Sequence, residues 1–240
     1  MINNRFRLEI CLSPAIYSRH ADDANVVVVA DIFRASSAIC TAFHNRVRRI
    51  IPVATVEEAR QKKREGYLVA SERDGYVLDF ADFGKSPFNF TAEQVKDRDI
   101  VYCTTNGTRC IHLAGHSKAV VIGSFLNLTA LSEWLLAQHS PVLILCASWK
   151  DRFSLEDTVF AGALSRKLLA SGNFHSICDA VTASVDLWEL ARTDLNAYLR
   201  KAAQKERLAA KGLDDCIDFC LRLDYTRVVP RFLGGELVAG

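Results

Sequence analysis

The chain has 240 residues, of which 50% are hydrophobic, and this is enough to bury one sizeable core. Thirty Lys and Arg residues nearly balance 28 Asp and Glu residues, so the net charge of +2 gives no reason to expect nucleic acid or a membrane as a partner. The first residues contain no apolar run of signal-peptide length, and no later segment is long and uncharged enough to span a bilayer. We therefore expect a cytoplasmic protein.

Eight cysteines are scattered singly through apolar runs or lie at helical spacing. This usage is typical of small buried side chains in a reducing compartment, not of a disulfide framework. Because the sequence contains no CxxC pair, we do not expect a structural zinc site.

Short apolar runs alternate with longer amphipathic segments, a pattern typical of parallel strands connected by helices. An alternating segment at residues 6–12 predicts an edge strand. Val26–Ala30 is almost entirely β-branched and shows no polar alternation, which predicts a fully buried strand. Further strands are predicted at residues 49–53, 67–70, 100–103, 119–122 and 142–146.

Several predicted helices begin with a capping box, in which a hydroxyl and a side chain three residues later satisfy each other's backbone N–H groups. Apolar periodicity predicts long helices over residues 155–170 and 195–210. The capping pairs are Thr55 with Glu58, Thr91 with Gln94 and, more loosely, Ser154 with Asp157.

After residue 169 the strand signals fade and the pattern becomes mostly helical. The sequence therefore predicts an α/β fold with a mostly parallel sheet flanked by helices in three layers, and a helix-rich C-terminal third. We expect a single compact unit over residues 1–240, and a division into two lobes near residues 165–180 stays open.

Polar residues follow four of the predicted strands, where ligands bind in open parallel sheets. Some are carboxylates that could hold Mg²⁺ together with waters, and others are cations or N–H groups that could bind anionic oxygens. Their convergence at one edge predicts a metal-assisted phosphoryl site. The carboxylates are Asp31, Glu72, Glu156 and Asp157, and the anion-binding groups are Arg34, Arg152 and the N–H groups of residues 106–108.

Each of these residues also has a structural interpretation. Asp31 could merely cap the following helix, and Glu72 could be a solvated loop charge. Asn106 followed by Gly107 is a good turn dipeptide. The absence of a GxxxxGK[ST] or GxGxxG motif argues against a nucleotide-binding protein.

A cysteine phosphatase is an alternative, because Cys103 and Arg109 flank a loop rich in hydroxyl groups. The same spacing to an arginine recurs at Cys40, Cys146 and Cys216, so it carries little weight by itself. A thiolate nucleophile would also need nearby positive charge, which the sequence cannot show.

Seven motifs occur in order between about residues 31 and 162, and together they are specific. They are DIFRASS (31–37), IPVATVEEA (51–59), SER (71–73), DFGKSP (82–87), TTNGTR (104–109), GSFLN (123–127) and WKDRFSLED (149–157). In this combination the chain resembles the 2-phosphosulfolactate phosphatase family. The resemblance implies an α/β enzyme that requires Mg²⁺ and hydrolyses 2-phosphosulfolactate to sulfolactate and phosphate, a step towards coenzyme M.

With this resemblance we expect a phosphorylated small molecule as the substrate and Mg²⁺ as the cofactor. Whether Asp31 is a metal ligand or a covalent nucleophile stays open, and so do the exact 2-hydroxy acid and a homo-oligomeric state. The expected catalytic residues are Asp31, Arg34, Glu156 and Asp157; the expected metal ligands are Asp31, Glu72, Glu156 and Asp157; the expected substrate-binding residues are Ser36, Ser37, Thr104, Thr105, Asn106, Gly107, Thr108, Lys150 and Arg152.

Two competing hypotheses remain. One is the cysteine-dependent phosphatase with Cys103 and Arg109. The other is a non-catalytic protein that binds phosphorylated or sulfonated acids in the same cleft.

Overall fold

The computed structural model describes residues 5–73, 75–104 and 106–240. Its centre is a mostly parallel sheet of eleven strands with helices on its faces. The strands are β1 (Phe6–Cys11), β2 (Val26–Ala30), β3 (Arg49–Pro52), β4 (Leu68–Arg73), β5 (Tyr76–Val77), β6 (Asp99–Cys103), β7 (Ala119–Gly123), β8 (Val142–Cys146), β9 (Phe174–His175), β10 (Arg231–Leu233) and β11 (Glu236–Val238).

The helices mostly connect successive parallel strands. Short 3₁₀ helices lie at Pro14–Arg19, Pro87–Asn89 and Phe125–Asn127. The α-helices are α1 (Ala35–His44), α2 (Val56–Arg64), α3 (Ala92–Val95), α4 (Gly107–Leu113), α5 (Leu128–Ala137), α6 (Leu155–Ala170), α7 (Asp179–Ala191), α8 (Leu195–Leu199), α9 (Ala203–Ala209) and α10 (Ile217–Cys220).

The strand order is β5-β4-β6-β3-β11-β10-β7-β2-β8-β1-β9. Two groups of parallel strands, β4-β6-β3 and β7-β2-β8-β1, are joined by the antiparallel hairpin of β10 and β11. In this hairpin Leu237 pairs with Ile50 on one side, and Arg231 pairs with Val121 on the other. The last strands of the chain therefore occupy the middle of the sheet.

The central strand β2 contributes side chains to a core on each face of the sheet. Val26 and Val28 pack in one cluster with residues of α5, α6 and α7, whereas Val27 and Val29 pack in the other with residues of α1 and α4. This alternation makes a strand that is buried on both faces, as its sequence predicts.

The second cluster forms a continuous core that extends across both parallel groups of strands. It contains Val29 of β2 together with Ala70 of β4 and Tyr102 of β6, although neither β4 nor β6 is next to β2 in the sheet. The cleft described below is lined by residues from both groups, Glu72 of β4 and Trp149 after β8.

The predicted α/β class, with a mostly parallel sheet flanked by helices, is confirmed. Each of the six internal strands predicted from apolar runs is present, and α6 has the predicted bounds. The possible division near residues 165–180 falls at the end of α6 and the start of α7, and it stays a prediction.

Other predictions need correction. Residues 6–12 do not form an edge strand, because β1 pairs with β8 on one side and with the short β9 on the other. The helix predicted over residues 195–210 is interrupted at residues 200–202. The Thr91 side chain makes no cap hydrogen bond, whereas Thr55 and Ser154 do cap their helices.

The sequence predicts a helix-rich C-terminal third, and it does not predict the hairpin of β10 and β11. A signal for it exists, because Gly234 and Gly235 separate two short apolar runs and both adopt positive φ. Two such residues are what a tight two-residue hairpin turn requires.

All eight cysteines are free thiols, and seven of them are buried, as their scattered positions predict. Among the helices of the described residues, none has the length and apolarity needed to cross a membrane.

Candidate active site

The candidate site lies at the carboxyl ends of β2, β4, β6 and β8. A cleft at this position is lined by Glu72, Lys85, Asn106 and Trp149 from the sheet side. Next to it, the backbone of Gly107 lies so close to the Asp31 carboxylate that a Cβ atom on Gly107 would be 3.3 Å from Asp31 Oδ2. The structure thus brings together the ends of strands that are separated in the sheet.

Asp31 is buried and only half satisfied. Its Oδ1 accepts a hydrogen bond from the Ala35 N–H at 3.3 Å, so the residue does help to cap α1. Its Oδ2 is buried without a hydrogen-bond partner and faces Gly107. A buried carboxylate oxygen without a partner is costly, and such atoms are concentrated at functional sites.

Glu72 is 3% exposed, so it is not a solvated loop charge. It belongs to β4, which continues three residues beyond its predicted end. Its Oε1 lies 3.3 Å from Lys85 Nζ, and its Oε2 is buried without a partner. Glu72 and Lys85 therefore form a buried ion pair, and Glu72 Oε2 is available to bind a ligand.

Asp157 holds the site together through its backbone contacts. Its Oδ1 accepts a hydrogen bond from the Ile32 N–H at 2.8 Å, and its Oδ2 accepts one from the Ser148 N–H at 3.1 Å. Burial raises the pKa of Asp157, and the charges of Glu156 and Asp31 raise it further, while the Ile32 N–H opposes the shift. Both oxygens are engaged, so Asp157 links the loop after β2 to the loop after β8.

Glu156 is buried beside two charged groups of the site. Burial raises its pKa to about 7, the charge of Asp31 acts in the same direction, and the charge of Arg207 opposes it. Glu156 is thus electrostatically coupled to both Asp31 and the C-terminal third of the chain.

The four predicted metal ligands do not form one cage. No group of three or more His, Cys, Asp or Glu side chains within residues 5–73, 75–104 and 106–240 is arranged to hold a metal ion. Mg²⁺ is commonly bound by one or two carboxylates together with waters and substrate phosphate. The donor set fits this mode, since Asp31 Oδ2 and Glu72 Oε2 are the unpartnered oxygens while both oxygens of Asp157 are occupied.

Arg34 is buried at the start of α1 and points towards the C-terminal segment. Its Nη1 donates to the Leu213 carbonyl oxygen at 3.3 Å and lies 4.0 Å from Cys216 Sγ, while its Nε has no partner. The pKa of Cys216 is lowered to about 6, first by a hydrogen bond from Cys220 and also by the charge of Arg34.

The hydroxyls predicted to bind substrate on α1 have structural partners. Ser36 Oγ accepts from the Asp31 N–H at 2.9 Å, and Ser37 Oγ contacts the Ile32 carbonyl oxygen and Ser124 Oγ, each at 3.0 Å. These contacts brace the Asp31 loop. A direct role of either hydroxyl in substrate binding stays a prediction.

The loop after β6 is braced in a similar way. Thr108 Oγ1 donates to the Thr104 carbonyl oxygen at 2.8 Å, and the two hydroxyls accept long hydrogen bonds of 3.4 Å from each other's backbone N–H groups. Asn106 makes no cap hydrogen bond and lines the cleft. Thr105, which is also predicted to bind substrate, lies outside the described residues.

The two predicted cations after β8 are exposed. Lys150 and Arg152 lie in a loop where Ser148, Lys150 and Asp151 adopt positive φ. Lys150 Nζ stands 4.7 Å from the centre of the Trp149 ring. Trp149, which sequence reasoning did not select, is the residue of this loop that reaches the cleft.

Comparison with known proteins decides the family. The family model for 2-phosphosulpholactate phosphatase matches residues 11–235. The chain belongs to this family.

The chain is similar in sequence to three relatives that are each named probable 2-phosphosulfolactate phosphatase. The protein of Thermotoga maritima is 33% identical over 216 residues, which cover 90% of this chain and 92% of the relative. The protein of Caldanaerobacter subterraneus is 32% identical over 225 residues, covering 92% of each chain. The protein of Pseudothermotoga lettingae is 35% identical over 215 residues, covering 89% of this chain and 92% of the relative. The predicted phosphoric monoester hydrolase is thereby confirmed.

In this phosphatase the cysteine alternative gains no support from the geometry. Cys103 is buried, and its Sγ contacts the Thr55 carbonyl oxygen at 3.5 Å within the small cluster that packs under α2. Burial raises the pKa of Cys103. Arg109 is on the surface and pairs with Asp151 at 2.9 Å, so it does not serve a thiolate phosphate loop.

The C-terminal third supplies one wall of the cleft, a role that sequence reasoning missed. One face of α9 and Lys211, two residues beyond its end, line the cleft through side chains at the helical spacing i, i+3, i+4 and i+7. This spacing was the available signal, but nothing in the sequence connects it to strand ends far away in the chain. The residues are Gln204, Arg207, Leu208 and Lys211.

Proposed function

We propose that this phosphatase hydrolyses 2-phosphosulfolactate, or a closely related phosphorylated 2-hydroxy acid, to the hydroxy acid and phosphate, and that it requires Mg²⁺. Sulfolactate would then be released towards coenzyme M in the cytoplasm. The observation that carries the proposal is the pair of buried, unpartnered oxygens Asp31 Oδ2 and Glu72 Oε2, which lie at strand ends in a member of this family.

Mg²⁺ would be held by Asp31 and Glu72, and when bound it would neutralise charge on the phosphate oxygens. The chain's own groups supply the remaining electrostatics. Lys85 is buried beside Glu72 and lines the cleft, so its ammonium is available to a phosphate oxygen. Placing fixed positive charge around the transferred group accounts for most of what phosphoryl transfer requires.

The hydrolysis exchanges one P–O bond for another. Either water attacks phosphorus directly, or Asp31 Oδ2 attacks it to form an aspartyl phosphate that a water then hydrolyses to regenerate Asp31 and release phosphate. In both cases the bond to the substrate oxygen breaks, and the alkoxide that leaves must receive a proton. Burial raises the pKa of Glu156 to about 7, and the charge of Asp31 acts in the same direction, so its carboxyl is suited to hold that proton.

Phosphate release from 2-phosphosulfolactate, 2-phospholactate, 2-phosphoglycolate and phenyl phosphate, with and without a chelator, tests the proposal. We expect 2-phosphosulfolactate to give the highest kcat/KM and the chelator to abolish turnover, with full recovery on addition of Mg²⁺. Chelator-resistant activity would overturn the metal requirement. A flat profile would overturn the substrate, and no turnover of any ester would favour a binding protein.

A further inference from the structure

Arg207 lies in the wall of the cleft that α9 forms, and it has no role in the hydrolysis proposed above. Arg207 lies with its Cζ atom 4.1 Å from the centre of the Trp149 ring. Its Nε donates to Gln204 Oε1 at 2.8 Å. The indole fixes the plane of the guanidinium and Gln204 fixes its rotation, so the two terminal amino groups are held in place.

The charge of Arg207 forms no close ion pair within the described residues, and Glu156 acts on it only at longer range. Among the residues that the structure describes, no Asp or Glu oxygen lies within 4.0 Å of its guanidinium. Partial burial lowers the pKa of Arg207, an effect that a bound anion would reverse. Gln204 offers its only acceptor to Arg207 and thus acts as a positioning residue.

The other cations near the cleft are placed differently. Lys211 lines the same wall, and its Nζ lies 5.0 Å from the centre of the Tyr76 ring. Lys85 is paired with Glu72, and Arg34 donates to the Leu213 carbonyl oxygen. Lys150 and Arg152, which the sequence predicts to bind substrate, are exposed on the loop after β8. Arg207 alone of these side chains combines a fixed orientation, a position in the cleft wall and an unpaired charge within the described residues.

We infer that Arg207, stacked on Trp149 and oriented by Gln204, binds the second oxyanion of the substrate, the sulfonate or the carboxylate, and thereby selects phosphate esters that carry such a group. A planar guanidinium with two parallel donors matches an oxyanion better than a lysine does. The inference rests on the proposed function for the identity of the ligand. The reacting phosphate then lies near Asp31, Glu72 and Lys85, and Arg207 on α9 determines which phosphate esters bind.

Substrates that differ in their anionic groups test the assignment. Arg207→Ala is compared with the wild type on 2-phosphosulfolactate, on 2-phospholactate, which lacks the sulfonate, and on phenyl phosphate, which lacks both groups. We expect KM for 2-phosphosulfolactate to rise about 10- to 100-fold, while kcat/KM for phenyl phosphate changes by less than about 3-fold. An unchanged KM for 2-phospholactate assigns the sulfonate, and a matching rise assigns the carboxylate.

Two variants control for indirect effects. Lys205→Ala removes a charge from a different face of α9, and we expect it to leave all three substrates unaffected. Arg207→Lys keeps the charge but loses the planar donors, and we expect an intermediate KM for 2-phosphosulfolactate. Equal losses on all three esters, or no loss on 2-phosphosulfolactate, would overturn the inference.

Calorimetric titration with sulfolactate separates this inference from the proposed function. Binding to the wild type that weakens at least about 10-fold in Arg207→Ala supports the inference even if no ester is hydrolysed, in which case the proposed function fails alone. Equal binding by both proteins, or binding by neither, overturns the inference even if esters are hydrolysed.

Discussion

The Asp157 carboxylate accepts a hydrogen bond of 2.8 Å from the backbone N–H of Ile32, 125 residues earlier in the chain. Its other oxygen accepts from the Ser148 N–H. The carboxylate therefore fixes the loop that carries Asp31 against the loop that carries Trp149. Asp157, which the sequence predicts to bind metal, instead holds together the two loops that carry Asp31 and Trp149.

This arrangement predicts that Asp157→Asn lowers the free energy of unfolding by about 2 kcal/mol, because an amide nitrogen replaces one of two acceptors and leaves a buried N–H unsatisfied. Urea denaturation in the presence of a chelator measures this loss without any contribution from bound metal. The exposed Asp151→Asn is the matched control. A variant of wild-type stability that has lost only Mg²⁺ affinity would instead make Asp157 a ligand.

Asp31 should behave in the opposite way. Because Oδ2 is buried without a partner, Asp31→Asn removes an uncompensated charge, and we expect unchanged or higher thermal stability with kcat lowered about 100-fold or more. Asp23→Asn, at an exposed position close by in sequence, serves as the control and should keep both properties. Strong destabilisation of Asp31→Asn would show that the capping contact with Ala35 dominates the role of this residue.

Gly107 is the closest approach of the β6 loop to Asp31. A Cβ atom at this position would lie 3.0 Å from Ala35 Cβ and 3.3 Å from Asp31 Oδ2. We expect Gly107→Ala to lower kcat/KM about 10-fold by shifting Asp31, with little change in melting temperature, since Ala suits a helix better than Gly. Adding Ala35→Gly removes the closer contact and should recover part of the activity; a double variant no better than the single one would argue against this contact.

Cys103→Ala distinguishes the cysteine mechanism from the proposed one. The thiol packs against Thr55 and its pKa is raised, so we expect the variant to keep wild-type kcat in the presence of Mg²⁺. Initial-rate measurements on phenyl phosphate with Cys40→Ala, another buried thiol, as the control are sufficient. Complete loss of turnover in Cys103→Ala alone would restore the thiolate hypothesis.

Asp99 anchors the hairpin to the sheet. Hydrogen bonds from Arg48 and Arg49 lower its pKa from 3.8 to about 2, and Arg49 also pairs with Glu236 of β11 at 2.7 Å. A lowered pKa contributes stability above pH 3.8 that is lost as the pH falls towards 2. The wild type should therefore exceed Asp99→Asn by about 1–2 kcal/mol near neutral pH, and the difference should shrink between about pH 4 and pH 2.

Urea unfolding across that pH range measures the difference. Asp79→Asn breaks an exposed ion pair with Arg60 and should change the free energy of unfolding by less than about 0.5 kcal/mol. A difference between wild type and Asp99→Asn that stays constant down to pH 2 would show that the carboxylate is not held by these arginines.

Local patterns in the sequence predict the strands and most of the helices that connect them. Val26–Ala30 can only be a strand buried on both faces, and Ser154 before residues 155–170 marks the start of α6; these are local signals of residue type and period. The same signals placed Asp31, Thr104 and Trp149 after strand ends. The family motifs, read in order, then indicated the chemistry.

Which of these strand ends lie close together depends on long-range packing. β10 and β11, joined by a two-residue turn at Gly234 and Gly235, lie in the middle of the sheet. Glu72 lines the cleft, and Asp31 lies against Gly107 next to it, although β4 and β2 are not neighbours in the sheet. Likewise, Arg207 reaches Trp149 across 58 residues of sequence because α9 folds back over the strand ends. Residue type and spacing do not indicate such long-range packing. For this reason the sequence predicts the elements of the site, but not the wall formed by α9 or the role of Asp157 in joining two loops.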